Sequence, residues 1–191
     1  MSTPDPLSLA VEHLEDRTVP VTWGNPWPDA MHLTTSFIQD GTEIAGLESN
    51  LVQTLDQTMS TEAWQTEILR ALQTWAVHAN INIGLVEDGG QAMGTAGRPQ
   101  RDARFGDIRI GGVELSPDVL AISNPFNITG GTQAGDFRIN TAVTMDMDGN
   151  AVDLFTVALH EAGNILGLQD STDADSALNS YSGARTGLGA S

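Results

Sequence analysis

The chain has 191 residues, 40% of them hydrophobic, enough for one domain with a sizeable core. Lys and Arg total 8 against 25 Asp and Glu, a formal net charge of -17, which argues against nucleic acid and anionic membranes as partners and suits cation binding. Cysteine is absent, which excludes disulfides and thiolate metal sites and leaves His, Asp, Glu, Asn or backbone oxygens as the possible metal ligands; no apolar run approaches the ~20 residues of a membrane span.

Residues 1–22 read as an N-terminal leader or disordered tail that ends near Pro20. Within it, "VEHLEDRTVP" resembles a short leader motif carried by many exported bacterial proteins, although no ordinary signal peptide precedes it. The expected location is therefore extracellular. The domain itself is expected over 23–191.

"WGNPWPDA" (Trp23 to Ala30) is a loop by its Pro and Gly content, and "MHLTTSF" (Met31 to Phe37) alternates as a first strand. A polar connection then runs to about Ser60. "TEAWQTEILRALQTWAVHAN" follows as a long helix: Trp64, Ile68, Leu72, Trp75 and Ala79 recur every three or four residues as one apolar stripe, and Asn80 is the expected stop. "INIGLV" (Ile81 to Val86) is a second strand, and the Gly-rich loop after it carries several of the few arginines. "DIRIGG", "DVLAIS" and "GDFRINT" (Gly135 to Thr141) are further strands, and "DMDGN" (Asp146 to Asn150) is a turn. A second helix starts at the N-cap Asp153 and ends at Gly167. The residues beyond Asp170 read as irregular.

On that second helix, at about 100° per residue, Phe155, Leu159, Ala162 and Leu166 form an expected core stripe. His160, Glu161 and Asn164 fall together on another side. His160 and Asn164 are one turn apart, and Gly167 allows Asp170 to swing back toward the same point. This arrangement suits zinc-assisted hydrolysis, which needs three protein ligands and an open position for water, with a neighbouring carboxylate as general base. His160, Asn164 and Asp170 are the candidate ligands and Glu161 the candidate base. Asn164 is the weak member, because an amide oxygen is a neutral, hard donor compared with imidazole. His13, His32 and His78 could complete the site only by unusual geometry. Asp146, Asp148 and Asn150 alternate like half of a calcium loop, so calcium is a second candidate ion; a plain Asp/Gly turn explains the same residues.

"DLFTVALHEAGNILGLQD" resembles the active-site helix of the matrixins, zinc endopeptidases within the metzincins, whose signature is H-E-x-x-H-x-x-G-x-x-H. His160, Glu161, Gly163 and Gly167 match, Asp170 stands for the third His, and Asn164 stands for the second. "ALQTWAVHANINIGLVED", "RFGDIRIGG" and "NPFNITGGTQAGDFRIN" resemble matrixin segments upstream, so the resemblance spans Trp23 to Tyr181. It implies an α+β, metzincin-like fold: a twisted mixed sheet of about five strands, mostly parallel with one antiparallel edge, with a long backing helix and an active-site helix. It also implies a catalytic zinc and a protein or peptide substrate. Three departures from the family follow. No His lies between His78 and His160 to hold a second, structural zinc. Leu178 or Asn179 stands where the Met-turn is expected. The last helix is expected to be missing, leaving the domain incomplete at its C-terminus. The expected function is a weakened zinc metalloendopeptidase; the alternative is an inactive pseudoprotease serving as a binding or structural module of an exported protein.

Overall fold

The computed structural model describes residues 22–173 and 175–179. The expected leader up to residue 21, and the C-terminal stretch where a last helix was expected to be missing, lie outside the described residues. Thr22 belongs to the folded body, since it bridges antiparallel to Leu168.

A 3-10 turn over Ala30–His32 replaces the expected start of the first strand, and β1 runs Leu33–Phe37. The polar connection up to Ser60 contains a hairpin, β2 (Glu43–Ile44) and β3 (Leu47–Glu48), followed by a short helix α1 (Leu51–Leu55). The hairpin turns at Ala45 and Gly46, with φ of 53° and 86°. Both residues are left-handed, as the tightest hairpin turn demands, but Ala-Gly is a weak signal for it beside Asn-Gly. The start of α1 is capped from a distance: the Asp40 carboxylate accepts the Val52 and Gln53 N–H groups at 2.9 and 2.8 Å.

Helix α2 (Thr61–Ala79) follows the expected bounds. Ser60 accepts the Ala63 N–H as its N-cap, and Asn80 ends it in the left-handed conformation at φ 55°. Its buried stripe is Trp64, Ile68, Ala71, Leu72 and Ala76. Trp75 is only half-buried and Ala79 is exposed, so the stripe drifts off the expected line at its end.

Strands β4 (Ile83–Leu85), β5 (Ile108–Val113), β6 (Ala121–Ser123) and β7 (Phe137–Asn140) complete the main sheet. The order is β4-β1-β5-β7-β6, parallel throughout except for β6, which runs antiparallel to β7 at one edge. This is the five-stranded mixed sheet of an α+β fold. β5 lies at its centre and is buried at every position, consistent with a parallel strand covered on both faces. Phe37 and Trp64 meet edge-on at 5.2 Å between ring centres, joining β1 to α2.

After β7 the chain makes two short parallel strands, β8 (Met145–Asp146) and β9 (Val152–Asp153), and enters helix α3 (Leu154–Ile165). The Asp153 carboxylate accepts the Thr156 N–H at 2.8 Å, as an N-cap should. The expected one-sided stripe on α3 does not hold. Every residue from Thr156 to Ile165 is buried, while Phe155 and Leu166 are only partly covered. The helix is enclosed by α2 on one side and β6 on another, so its polar face is buried along with its apolar one.

Candidate active site

Helix α3 carries His160, Glu161 and Asn164, each no more than 5% exposed. A buried imidazole, carboxyl and amide on one helix are costly unless they are paired or serve a function. α3 is held in place from several directions. Trp75 donates its indole N–H to the Leu159 carbonyl at 2.8 Å, and Trp27 does the same to Ile165 at 3.1 Å. Leu178 is buried against Gly163: a Cβ there would lie 2.5 Å from Leu178 Cδ2 and 3.3 Å from the Trp75 ring. Gly163 therefore lets an apolar floor approach the helix backbone closely, with Leu178 in the place where a Met was expected.

Gly167, at φ 96°, ends the helix in the left-handed region and redirects the chain. Asp170 returns to the site. Its Oδ1 lies 3.1 Å from His160 Nε2, and the Asn164 Nδ2 donates to the same oxygen at 3.4 Å. Three of the four sequence-derived site residues thus converge on one point. The fourth, Glu161, faces the side chain and backbone N–H of Ser123 on β6. The Ala177 backbone lies near the His160 ring and favours its protonated form.

Burial dominates the electrostatics. It pushes the Glu161 carboxyl up to about 7, with Ser123 opposing and Asp170 adding to the rise. Burial also lowers the His160 pKa, against the pull of the Asp170 carboxylate. Burial thus favours the neutral imidazole, the form that binds a metal ion.

The donor set fits a cation. His160 offers a ring nitrogen, Asp170 a carboxylate, and Asn164 Oδ1 is buried with no hydrogen-bond partner. Among the described residues no three His, Cys, Asp or Glu side chains cluster as a metal site, because an amide stands at the third position. His32 lies elsewhere, paired with Asp29 in a cavity along the opposite sheet edge, and His78 is exposed in the last turn of α2. His13 lies outside the described residues.

The cleft above these residues has a volume of about 280 Å³ and is lined by β6 with the segment leading into it, by the α3 residues, by Asp170 and by Trp23. Asn140 fixes that lead-in: its side chain accepts the Leu115 and Ala142 N–H groups and donates to the Ser116 and Val119 carbonyls. Ser123, Trp23, Asn140 and Ala177 were not legible as site residues, because each reaches the site through tertiary contacts. For Trp23, the flanking Gly and Pro marked only a loop.

The candidate calcium residues form a self-closing turn. Asp146 accepts the Gly149 and Asn150 N–H groups at 3.2 and 2.9 Å, so a calcium ion there would share those oxygens with the backbone. Hydrogen bonds to Asp146 and Asn150 hold the Asp148 carboxyl below its ordinary range.

The family model described as Matrixin matches residues 47–187. No curated protein matches the chain.

Proposed function

Because the chain belongs to the matrixin family, we propose that it is a zinc-dependent metalloendopeptidase, weakened by an amide at one ligand position. One observation carries this reading: His160, Asn164 and Asp170 meet within hydrogen-bonding distance beside the buried Glu161, beneath a sheet edge. His160 and Asp170 are the strong ligands on this reading, and Asn164 Oδ1 is the weak third.

Bound zinc would supply a Lewis acid that polarises the scissile carbonyl. The other steps belong to the chain's own groups. Glu161, with a pKa near 7, takes a proton from water and returns it to the leaving amine. Ser123 lies beside the Glu161 carboxyl and favours its ionised form. Among the described residues the outer edge of β6 is unpaired, so it can pair with an extended substrate backbone. The leader motif adds an extracellular setting to this proposal.

The alternative is a pseudoprotease that keeps the fold as a binding module. It is favoured by Asn164 directing its amide nitrogen, a hydrogen-bond donor, at Asp170. Elemental analysis of the purified full chain, with peptide hydrolysis measured before and after chelation, decides between the two. Hydrolysis lost on chelation and restored by zinc supports the peptidase; absence of both zinc and hydrolysis supports the binding module.

A further inference from the structure

We propose that the cleft between β6 and α3 selects extended peptides bearing a basic side chain, with Trp23 as the platform beneath that side chain and Asp118 as its counter-charge. The proposal names the substrate class for the peptidase reading and rests on it.

The lining of the cleft sets the sign of the charge. It contains three carboxylates, from Asp118, Glu161 and Asp170, and no Lys or Arg. Two of the three are engaged: Glu161 by Ser123, and Asp170 by His160 and Asn164. Asp118 is exposed, and its carboxylate has no hydrogen bond or ion pair among the described residues. The chain as a whole carries -17, so its long-range field draws cations toward the surface.

Trp23 supplies the shape. It is 40% exposed although its backbone is fixed: its N–H donates to the Gly167 carbonyl at 2.6 Å, Thr22 bridges to Leu168, and Asn25 donates to the Phe126 carbonyl at 2.8 Å. An exposed indole carried on a fixed backbone is a favourable surface for a guanidinium or ammonium group. The ligand would be an extended chain, because among the described residues β6 ends the sheet and pairs along one edge.

Binding is tested apart from turnover, on the full chain carrying Glu161→Gln. Fluorescence anisotropy is read with labelled peptides Gly-Ala-X-Ala-Gly, where X is Arg, Leu or Glu. The Arg peptide is expected to bind at least tenfold tighter than the other two. Asp118→Asn and Trp23→Leu should each weaken it by about three- to tenfold, while Glu62→Gln, an exposed acid on α2, leaves it unchanged. Asp118 is exposed, so its variant tests the idea even if Trp23→Leu misfolds. Equal binding of the Arg and Leu peptides, or equal losses for Asp118→Asn and Glu62→Gln, overturns the proposal. Selective binding of the Arg peptide, with no peptide cleavage by the unsubstituted chain, upholds the proposal and removes the peptidase reading; cleavage by the unsubstituted chain without a basic preference does the reverse.

Discussion

His160 Nε2 and Asn164 Nδ2 both approach a single oxygen of Asp170, at 3.1 and 3.4 Å. On the peptidase reading the three groups are the ligands, but the amide is turned the wrong way round for one. Its nitrogen faces the carboxylate, and its oxygen is buried without a partner. Binding a cation therefore requires the amide to rotate and give up its contact with Asp170. An imidazole at 164 would need no such exchange. We expect Asn164→His to raise zinc affinity by more than the roughly 10–100-fold typical of an outer-sphere change. Competition with a chromogenic chelator measures this, and an unchanged affinity would show that the backbone does not aim position 164 at the shared point.

Glu161 lies beside the ligands, faces Ser123, and is no ligand itself on this reading. Its removal should separate chemistry from metal binding. Glu161→Gln is expected to reduce peptide hydrolysis by about 10²–10⁴-fold, the range for a lost general base, while zinc affinity stays within a few-fold. Parallel measurement of turnover and zinc stoichiometry checks this. A variant that loses its zinc would reassign Glu161 as a ligand.

The parts of the fold and site that were legible in the sequence are those with local causes. Helix α2 could be bounded by its cap Ser60 and its stop Asn80, and α3 by Asp153 and Gly167, because caps act within one turn. His160, Glu161 and Asn164 were legible because helical spacing alone puts them together. The hairpin at Ala45 and Gly46 was not legible, since its turn uses a residue that carries no strong left-handed preference. The complete burial of α3 was also hidden. Helical periodicity assumes one wet face, and here β6 closes over that face. Ser123 and Ala177 enter the site by non-local packing, which no spacing rule reports.

The floor of the site depends on Gly163. An added methyl would press on Leu178 and the Trp75 ring at 2.5 and 3.3 Å. Gly163→Ala is expected to cost about 1–3 kcal/mol through overpacking, despite the higher helix propensity of Ala. It should also loosen zinc binding, because Ala177, next to Leu178, lies near the His160 ring. Urea unfolding together with zinc titration tests both effects. A stabilised variant would mean that Leu178 moves aside without penalty.

Arg109 on β5 has a fully buried side chain and holds the loop between β4 and β5 from inside the protein. Its Nε and Nη2 donate to the two Asp88 oxygens at 2.8 and 2.7 Å, and Nη2 also donates to the Gln91 carbonyl at 2.7 Å. The guanidinium carbon lies 4.3 Å from the centre of the Phe105 ring. Arg109→Met would leave Asp88 buried and uncompensated, at a cost of about 3–5 kcal/mol. Arg109→Lys should recover little, since an ammonium group cannot make the forked contact. Denaturant midpoints and the rate of proteolytic cutting within 87–106 measure the loss. Recovery to wild-type stability with Lys would show that charge alone, without the fork, is sufficient.

Asp136 lies against the same cluster. Its Oδ1 accepts the Arg109 N–H at 2.8 Å, and Oδ2 has no hydrogen-bond partner. Burial raises its pKa well above the ordinary carboxylate range; the Arg109 N–H and charge oppose the rise, and Asp88 adds to it. The folded state therefore binds the Asp136 proton more tightly than the unfolded chain does. The stabilisation from that proton is fully present below the unfolded value, about pH 3.9, and is lost as pH climbs through the raised folded pKa. Asp136→Asn mimics the protonated carboxyl and keeps an oxygen for the Arg109 N–H. It should unfold at a higher temperature than wild type at neutral pH, with the gap closing as pH falls toward 4. Thermal unfolding across pH 4–8 measures the gap. A variant less stable than wild type at neutral pH would mean that the ionised carboxylate is favoured by Arg109 and Arg138 over the cost of its burial.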